Sequence, residues 1–345
     1  MKLLSSDDPY TFVNIVNLED FPYSRLSKII KGDEEPESKQ TIGWSLLLCI
    51  KILETLIDDE SNIGNMKIRS LLEILDSSGI SIHTPIQSIA RKASSKQFKL
   101  MIPKVFEGNW SPEKIDPTND IPNFTEILKY AIKTIDSDNQ YYIFIDGLDE
   151  ILSSRSTQYQ ALGALIFEVN RLNKFFKDHS KKIKVIVLCR TDLFEKITGA
   201  NKNKIRQSSS FDIDWYVDPS NKKDSKLIRM INLRASNYLN EETDIFKSFF
   251  KFKLGRRRNE SWEFLLDVTR HTPRDTIQLF KYLQMTTKGP VPKQDEVYDG
   301  IREYSRGYFL PEIIDELQGY SAPESIEKYL MFSRKLGKEI PITEK

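Results

Sequence analysis

The chain has 345 residues, enough for two compact units or for one large unit with an appendage. Hydrophobic residues make up 39% of it and aromatic residues 11%, which excludes a disordered or low-complexity chain. The 51 Lys and Arg residues balance the 50 Asp and Glu residues, so bulk charge gives no argument for binding nucleic acid or an acidic membrane.

The first half of the chain alternates strand patterns with helical ones. A β-branched run at Thr11–Leu18 predicts a strand, and helical spacing of apolar residues then predicts a helical insert at about residues 40–137. Two continuous apolar runs, Tyr141–Asp146 and Lys184–Cys189, predict strands buried on both faces of a parallel sheet, with a helix at Gln158–Phe176 between them. Strands that alternate with helices predict an α/β fold.

A change of pattern near residue 220 indicates a domain boundary. The alternating run Phe211–Val217 predicts a last strand at or near the edge of the sheet. Beyond it the apolar spacing is helical, in Leu227–Leu239, Trp262–Leu283 and Val297–Leu317. We therefore predict an α/β unit over residues 1–220 and a helical C-terminal unit over residues 221–345.

Motifs for metal or nucleophilic chemistry are scarce. Cys49 and Cys189 both lie in apolar stretches, which favours reduced core residues over a disulfide. His83, His179 and His271 are scattered, without a CxxC, HExxH or GxSxG motif, which argues against zinc and Ser-His-Asp chemistry. The sequence has no apolar run of the ~20 residues that a membrane helix needs and no signal-peptide pattern, so we predict a cytoplasmic protein.

A cluster of acids follows the second predicted strand, in the sequence Ile145-Asp146-Gly147-Leu148-Asp149-Glu150. A carboxylate at the carboxyl end of a buried strand can hold Mg²⁺ or its water ligands, and a second one can orient or deprotonate an attacking water. This assigns Asp146 to the metal and Glu150 to the base, with Asp149 a candidate for either role. The alternative is that Asp146 and Asp149 cap the following helix.

Polar residues also follow the third predicted strand, at Arg190-Thr191-Asp192. They lie next to the acids if the two strands are neighbours. Arg190 could there sense or neutralise the terminal phosphate of a nucleotide, or it could form a surface salt bridge.

The segment Tyr141–Glu150 resembles the Walker B segment of prokaryotic P-loop ATPases of the STAND and KAP-like type, in which four apolar residues precede an Asp-Gly-x-Asp-Glu run. Arg190 falls at the sensor-1 position of that family. Further likenesses to one branch of it, within a resemblance that covers about residues 11–335, lie at Asn203-Lys204, Asp214-Trp215, Arg270–Asp275, Tyr304–Arg306 and Asp315-Glu316. The match at Arg270–Asp275 to an Arg-Pro-Arg-Asp motif has Thr272 where Arg is expected before proline.

The resemblance implies a P-loop NTPase core, incomplete at its N-terminus, with a helical insert and a helical C-terminal domain. It implies Mg²⁺ and ATP as cofactors and a regulatory switch that binds and hydrolyses ATP, of the sort found near prokaryotic defence systems. By the same resemblance the site residues are Asp146 for the metal, Glu150, Asp149 and Arg190 for catalysis, and Arg274, Lys204 and Thr191 for the nucleotide. For Arg274 the alternative is a surface or interdomain salt bridge.

The family's phosphate cradle, GxxxxGK[ST], is missing from this sequence. Since Thr11–Leu18 matches the family's second strand, we expect the cradle either to precede Met1 in a longer protein or to have been lost. The chain as printed should therefore hydrolyse little or no ATP. It should also leave a strand position open beside the Lys184–Cys189 strand, with unpaired backbone groups where another element could dock.

An alternative function is a non-catalytic interaction module that keeps the shape of the ATPase. The segment Lys251–Arg258 interleaves cations with an aromatic residue and could contact a nucleic-acid backbone, or it could be a solvated loop. A protein partner or self-association is the predicted mode of interaction, with nucleic acid the weaker candidate and no membrane.

Overall fold

The computed structural model describes residues 8–30, 35–62, 64–100, 121–148, 156–197, 201–215, 225–256, 258–318 and 321–336. The chain divides into two compact units, residues 1–210 and 211–345. This division lies ahead of the predicted boundary near residue 220. The segment 211–215 forms no strand, contrary to the prediction for Phe211–Val217, whose last two residues lie outside the described ranges. Phe211 and Ile213 are exposed, and Trp215 packs against the core of the second unit.

The first unit combines a three-stranded parallel sheet with helices, which confirms the predicted α/β class. Its strands are β1 (Thr11–Asn17), β2 (Gln140–Asp146) and β3 (Ile183–Val187). Its helices are, in chain order, α1 (Tyr23–Leu26), α2 (Pro36–Ile57), α3 (Met66–Ser77), α4 (Ile86–Ala93), α5 (Ile121–Thr134), α6 (Ser156–Asp178), α7 (Thr191–Lys196) and α8 (Lys202–Ser209).

The central strand of the sheet is β2, which pairs with β1 on one side and with β3 on the other. Asn17 is level with Asp146, and Val187 is level with Ile145. Because all three strands are parallel, the residues that follow them lie along one edge, which we call the carboxyl edge.

One face of this sheet packs against the core of the first unit. Along β2, Tyr141, Ile143 and Ile145 are buried, whereas Tyr142 and Phe144 between them are partly exposed. The prediction that the strand is buried on both faces is therefore wrong. The reason is that α2 packs against β1 and β2, while α6 packs against β3 and against α2, so these two long helices cover the same face.

The second face of the sheet is mainly apolar, although it also carries Lys184, which is level with Tyr142. It carries Val13, Ile15, Tyr142, Phe144 and Ile186, which share a face by the pairing of the strands, and Ile15 is 50% exposed. Among the described residues of the first unit, none of these five belongs to the hydrophobic core or packs against it. A continuous apolar run in the sequence therefore does not by itself establish that helices cover both faces.

The helix α2 runs through the middle of the core. Trp44 on this helix is fully buried, donates its Nε1–H to the Ala161 carbonyl at 2.8 Å, and stacks on Phe21 at 4.7 Å between ring centroids. Pro36–Ile57 is the one helix in the described ranges that is long and apolar enough to cross a membrane. However, 78% of its most apolar 18-residue stretch is buried, as in a core helix. Burial raises the pKa of the Cys49 thiol to about 12, which agrees with a reduced core cysteine.

A side chain of α6 occupies the open edge of β3. Leu188 donates its backbone N–H to the Ile145 carbonyl of β2. Because the backbone groups of successive residues point to opposite sides of a strand, the N–H and carbonyl of Val185 point away from β2. There the Asn173 amide donates from Nδ2 to the Val185 carbonyl and accepts the Val185 N–H at Oδ1, both at 2.8 Å. The row of unpaired backbone groups expected along this edge is thus interrupted at its centre.

A buried polar network joins the start of β2 to the end of α2. The Asp59 carboxylate, 3% exposed, accepts hydrogen bonds from the Tyr141 hydroxyl at 2.5 Å, from Asn139 Nδ2 at 2.6 Å and from Ser61 Oγ at 2.6 Å. Burial alone would raise the pKa of Asp59, but the hydrogen bonds from Ser61, Tyr141 and Asn139 together hold it below its usual value. The network therefore stabilises the ionised form.

We expect Asp59→Asn to lower the free energy of unfolding of the first unit by about 1–3 kcal/mol at neutral pH, because buried hydrogen bonds to a charged group are lost. A carboxyl whose folded pKa is depressed contributes stability above its unfolded pKa of 3.8 and loses it as the pH falls through the lower folded value. The difference between wild type and variant should therefore shrink below about pH 4 in urea titrations. Asp138→Asn, at an exposed site, is the control, and a difference that stays constant down to about pH 3 would contradict the assignment.

The second unit is mainly helical. Its helices are α9 (Lys226–Leu239), α10 (Ile245–Phe249), α11 (Ser261–Asp267), α12 (Pro273–Thr286), α13 (Gln294–Tyr304), α14 (Leu310–Gln318) and α15 (Pro323–Leu336), with a π-helical turn, Ser305–Phe309, between α13 and α14. A short antiparallel hairpin, β4 (Lys253–Leu254) and β5 (Asn259–Glu260), was not predicted. The helical spacing over Trp262–Leu283 divides into α11 and α12, because His271 between them has φ +53°.

Candidate functional site

The turn after β2 places Asp146 at the carboxyl edge. The Asp146 side chain is exposed, and its Oδ1 accepts the N–H of Gly147 at 2.8 Å. Its backbone carbonyl accepts the N–H of Leu18 at 2.8 Å, which extends the pairing of β1 and β2 by one residue. The next described helix, α6, begins at Ser156, so the Asp146 carboxylate is oriented by its own turn rather than by capping that helix.

Glycine is required at position 147 by the close approach of two backbones. Gly147 has φ +78°, and a Cβ there would lie 2.1 Å from Asn17 Oδ1, 2.9 Å from the Glu19 nitrogen and 3.0 Å from the Leu18 nitrogen. Asn17 Oδ1 in turn accepts the N–H of Glu19 at 2.8 Å, which closes the turn after β1. The ends of β1 and β2 therefore form one tight structure beside Asp146.

Sequence reasoning missed two residues that hold this edge. Asn17 is the last residue of β1, and a polar residue at the end of a strand is the signal that could have found it. Gln87 on α4 donates from Nε2 to the carbonyls of Asn17 at 2.9 Å and Glu19 at 2.7 Å. No pattern in the sequence links Gln87 to β1, because the contact spans about 70 residues.

Arg190 and Thr191 follow β3 at the same edge of the sheet. Arg190 forms a two-point ion pair with Asp192, with Nε to Oδ1 at 3.0 Å and Nη2 to Oδ2 at 3.2 Å. Thr191 is exposed in the first position of α7. The predicted neighbourhood of β2 and β3 is thus confirmed by the pairing of the strands, and the contact seen for Arg190 is the surface salt bridge held open as its alternative.

The remaining predicted residues of the first unit are less closely placed. Lys204 is exposed on α8, where neighbouring Lys202 and Arg206 bind Glu195. Asp149 and Glu150 lie outside the described residues. In the described part of the chain, no group of three or more His, Cys, Asp or Glu side chains could hold a metal ion.

In the second unit, the Arg270–Asp275 motif forms a buried ionic network. Arg270 Nε and Nη2 donate to Asp275 Oδ2 and Oδ1 at 2.7 and 2.8 Å, and its other contacts are Glu316 at 2.7 Å and Glu312 at 3.2 Å. The hydrogen bonds to Asp275 raise the pKa of the Arg270 guanidinium. Burial alone would raise the pKa of Asp275, which is fully buried, but hydrogen bonds from Arg270 and Tyr308 hold it below its usual value.

The π-helical turn brings Tyr308 to this network. The Tyr308 hydroxyl donates to Asp275 Oδ1 at 3.0 Å, and burial together with that contact raises the pKa of Tyr308 to about 12. Gly307 in the same turn lies against Tyr282, since a Cβ at Gly307 would be 2.5 Å from the Tyr282 hydroxyl. The π-helical turn thus places Tyr308 in the network and Gly307 against Tyr282.

Arg274 is exposed, unlike Arg270 and Asp275 of the same motif. Thr272 caps α12 by accepting the N–H of Asp275 at 3.1 Å, and Pro273 takes the first helical position. Arg274 follows as an exposed residue, and no ion pair to another described residue is formed. Arg270 and Asp275 therefore have structural roles, whereas Arg274 projects to solvent in the second unit.

The basic segment Lys251–Arg258 contains the β4–β5 hairpin rather than a plain loop. Phe252 packs on the second core and lies 6.1 Å from the Phe250 ring, and Leu254 is fully buried. Lys253 pairs with Glu260 at 3.5 Å across the hairpin. Phe252 is thus committed to packing, so exposed Arg256 and Arg258 are the described residues of the turn that could meet a partner.

Comparisons of the chain with protein-family models, with curated proteins and with solved structures found no match.

Proposed function

We propose that the first unit is a nucleotide-dependent regulatory module of the P-loop NTPase type, with Mg²⁺ and ATP bound at the carboxyl edge. The observation that supports this most is the order of the sheet. Asp146 ends the central strand, and Arg190 and Thr191 follow the adjacent parallel strand. Open α/β sheets bind ligands in the crevice beyond the carboxyl ends of their strands.

In this proposal Asp146 holds Mg²⁺. The hydrogen bond from Gly147 to Oδ1 fixes the carboxylate, and no described residue hydrogen-bonds Oδ2. A single carboxylate oxygen with water ligands and phosphate oxygens is the coordination that Mg²⁺ usually takes in nucleotide sites. The metal would neutralise charge on the phosphates, while Glu150 or Asp149 would orient the attacking water and Arg190, Thr191 and Lys204 of the same unit would contact the nucleotide.

The chain as printed should bind the nucleotide weakly and turn it over slowly. Without a GxxxxGK[ST] loop, no row of backbone N–H groups wraps the β- and γ-phosphates. The proposed role is therefore that of a switch that changes the state or assembly of a protein partner, as in the defence-associated ATPases that the sequence resembles. Appreciable ATP turnover that Glu150→Gln abolishes would contradict the expectation of slow turnover.

We expect Mg²⁺-ATP to raise the thermal midpoint of the first unit more than ATP with EDTA does, and Asp146→Asn to remove that difference. The stabilisation is about 1 kcal/mol when the ligand is at about five times its Kd. Calorimetric scans of wild type, Asp146→Asn and the control Asp178→Asn, an exposed carboxyl at the end of α6, measure it. A shift that is independent of Mg²⁺, or one that Asp146→Asn retains, would rule out Asp146 as the metal ligand.

The second candidate function is a non-catalytic module that binds DNA through the β4–β5 hairpin. The observation that favours it is the exposure of Arg256 and Arg258 beside a buried Leu254 that anchors the hairpin. DNA binding that weakens steeply with salt and disappears when Arg256, Arg257 and Arg258 are made Ala would support this candidate. Absence of binding at low salt would remove it.

A further inference from the structure

A cleft of about 550 Å³ lies in the first unit, at α1 and the C-terminal end of α4. The described residues that line it are Arg25, Lys28, Ser94, Ser95 and Lys96. Three cationic side chains and two hydroxyl groups thus face one cavity, in a chain whose overall charge is +1. No carboxylate is found among the described lining residues.

The two walls of the cleft are anchored by buried residues. On the first wall, Leu26 and Ile29 are fully buried, so Arg25 and Lys28, one position before each, both project outward. Lys28 lies in the turn that follows α1, where its backbone N–H donates to the Arg25 carbonyl at 2.9 Å, so the two residues are one turn apart.

The second wall is held in the same way. Ala93 and Phe98 are buried on either side of Ser94, Ser95 and Lys96. The Ser95 carbonyl accepts the N–H of Phe98 at 3.2 Å, which folds this segment into a turn after α4. Buried neighbours therefore fix the backbone of both walls.

No acidic residue in the described part of the chain pairs with the cations of the cleft. In the described ranges, Arg25, Lys28 and Lys96 form no ion pair, in contrast to Lys51, Lys129 and Arg171 of the same unit, which pair with glutamates. Like charges that share a cavity repel one another, and α1 is a single turn whose dipole is too small to offset two cations. A bound anion would remove this repulsion.

We propose that this cleft binds a small polyanion that carries two or more phosphoryl groups. Its volume lies within the range of small-molecule sites. Three cations match the charge of a diphosphate or triphosphate, and Arg25 can bind phosphate oxygens in a two-point fork while the lysines act as point charges. Since no aromatic residue is among the described lining residues, recognition would rest on the phosphates rather than on stacking of a base.

The cleft is distinct from the proposed Mg²⁺ site. It lies at the C-terminal end of α4, whereas Gln87 in the first turn of α4 contacts the loop after β1 at the carboxyl edge. Binding to the cleft should therefore require no divalent metal and should survive Asp146→Asn.

The test is isothermal titration of the full chain with inorganic pyrophosphate and tripolyphosphate in EDTA. The expected result is binding that is tighter for tripolyphosphate and weaker at higher salt. The variant Arg25→Gln/Lys28→Gln/Lys96→Gln should weaken it at least tenfold, because it removes all three cations. The control Arg69→Gln/Lys174→Gln/Lys177→Gln removes the same charge from exposed positions of the same unit and should change binding less than twofold.

Each other outcome overturns the proposal. Wild type that binds neither polyphosphate has no such site. Equal weakening in both triple variants means that overall charge, not the cleft, attracts the anion. Loss of binding in Asp146→Asn assigns the anion to the carboxyl edge instead. Duplex DNA that displaces tripolyphosphate at lower phosphate concentration, in a manner that needs the same three cations, assigns the cleft to nucleic acid. Because all the substituted side chains are exposed, circular dichroism should show all variants folded.

Discussion

Replacing Arg270 by Met should lower the free energy of unfolding of the second unit by about 3–5 kcal/mol, because it leaves the buried Asp275 carboxylate without its counter-ion. Arg270 is 20% exposed and binds three carboxylates, of which Asp275 is fully buried. Removal of the guanidinium also leaves Glu312 and Glu316 close to Asp275, where like charges repel. Urea unfolding followed by far-ultraviolet circular dichroism measures the effect.

A second ion pair in the same unit provides the matched control. Arg302 and Asp299 are 2.8 Å apart but both more than half exposed, so Arg302→Met should change the free energy of unfolding by about 0–1 kcal/mol. The double variant Arg270→Met/Asp275→Asn should regain part of the loss, since the buried charge is removed together with its partner. If Arg270→Met costs no more than Arg302→Met, the network does not stabilise the unit.

Substituting Gly147 by Ala should destabilise the first unit by about 2–5 kcal/mol, from the left-handed backbone conformation and from overlap with the turn after β1. The new Cβ would meet Asn17 Oδ1 at 2.1 Å and the backbone nitrogens of Leu18 and Glu19. The backbone must then move apart, which breaks the hydrogen bond from Leu18 to Asp146. Urea unfolding of the first unit tests this expectation.

Gly64 is the control for this substitution, because a Cβ there meets no atom within 4 Å. Gly64→Ala should be neutral, or stabilising by less than about 1 kcal/mol. Addition of Asn17→Ala to Gly147→Ala should restore only part of the loss, because the two backbone nitrogens remain in the way. Wild-type stability of Gly147→Ala would mean that the ends of β1 and β2 are not in close contact.

The three strands of the parallel sheet were predictable because each is a compact apolar run bounded by polar residues. Their burial was not, since the run Tyr141–Asp146 is equally compatible with a sheet covered on one face or on two. The composition of a strand shows that its side chains are apolar. Whether helices cover one face of the sheet or both depends on where α2 and α6 pack, and contacts between residues far apart in the sequence determine that. The helix α4 lies within the predicted helical insert, but its bounds were not predicted because its eight residues are too few for a clear period.

The residues of the candidate site were predictable, but their contacts were not. The acids after β2 and the arginine after β3 follow from strand ends alone, because parallel neighbours share an edge. The motif at Arg270–Asp275 was recognised, but its structural role depends on Glu312 and Glu316, more than 40 residues away along the chain. Local patterns select candidate residues, and only the fold assigns each one to a ligand or to packing.

The Asn173 amide on the edge of β3 has a consequence for the way this sheet can grow. A strand that adds at β3 must displace the two hydrogen bonds between Asn173 and Val185. Because Asn173 belongs to the same chain, its effective concentration at Val185 is high and does not depend on the protein concentration. A strand from another molecule arrives at its far lower bulk concentration and loses this competition unless it brings further contacts. The β3 edge therefore favours strands that are covalently linked to this chain or that make a large additional interface with it. It disfavours edge-to-edge pairing between two copies of the chain.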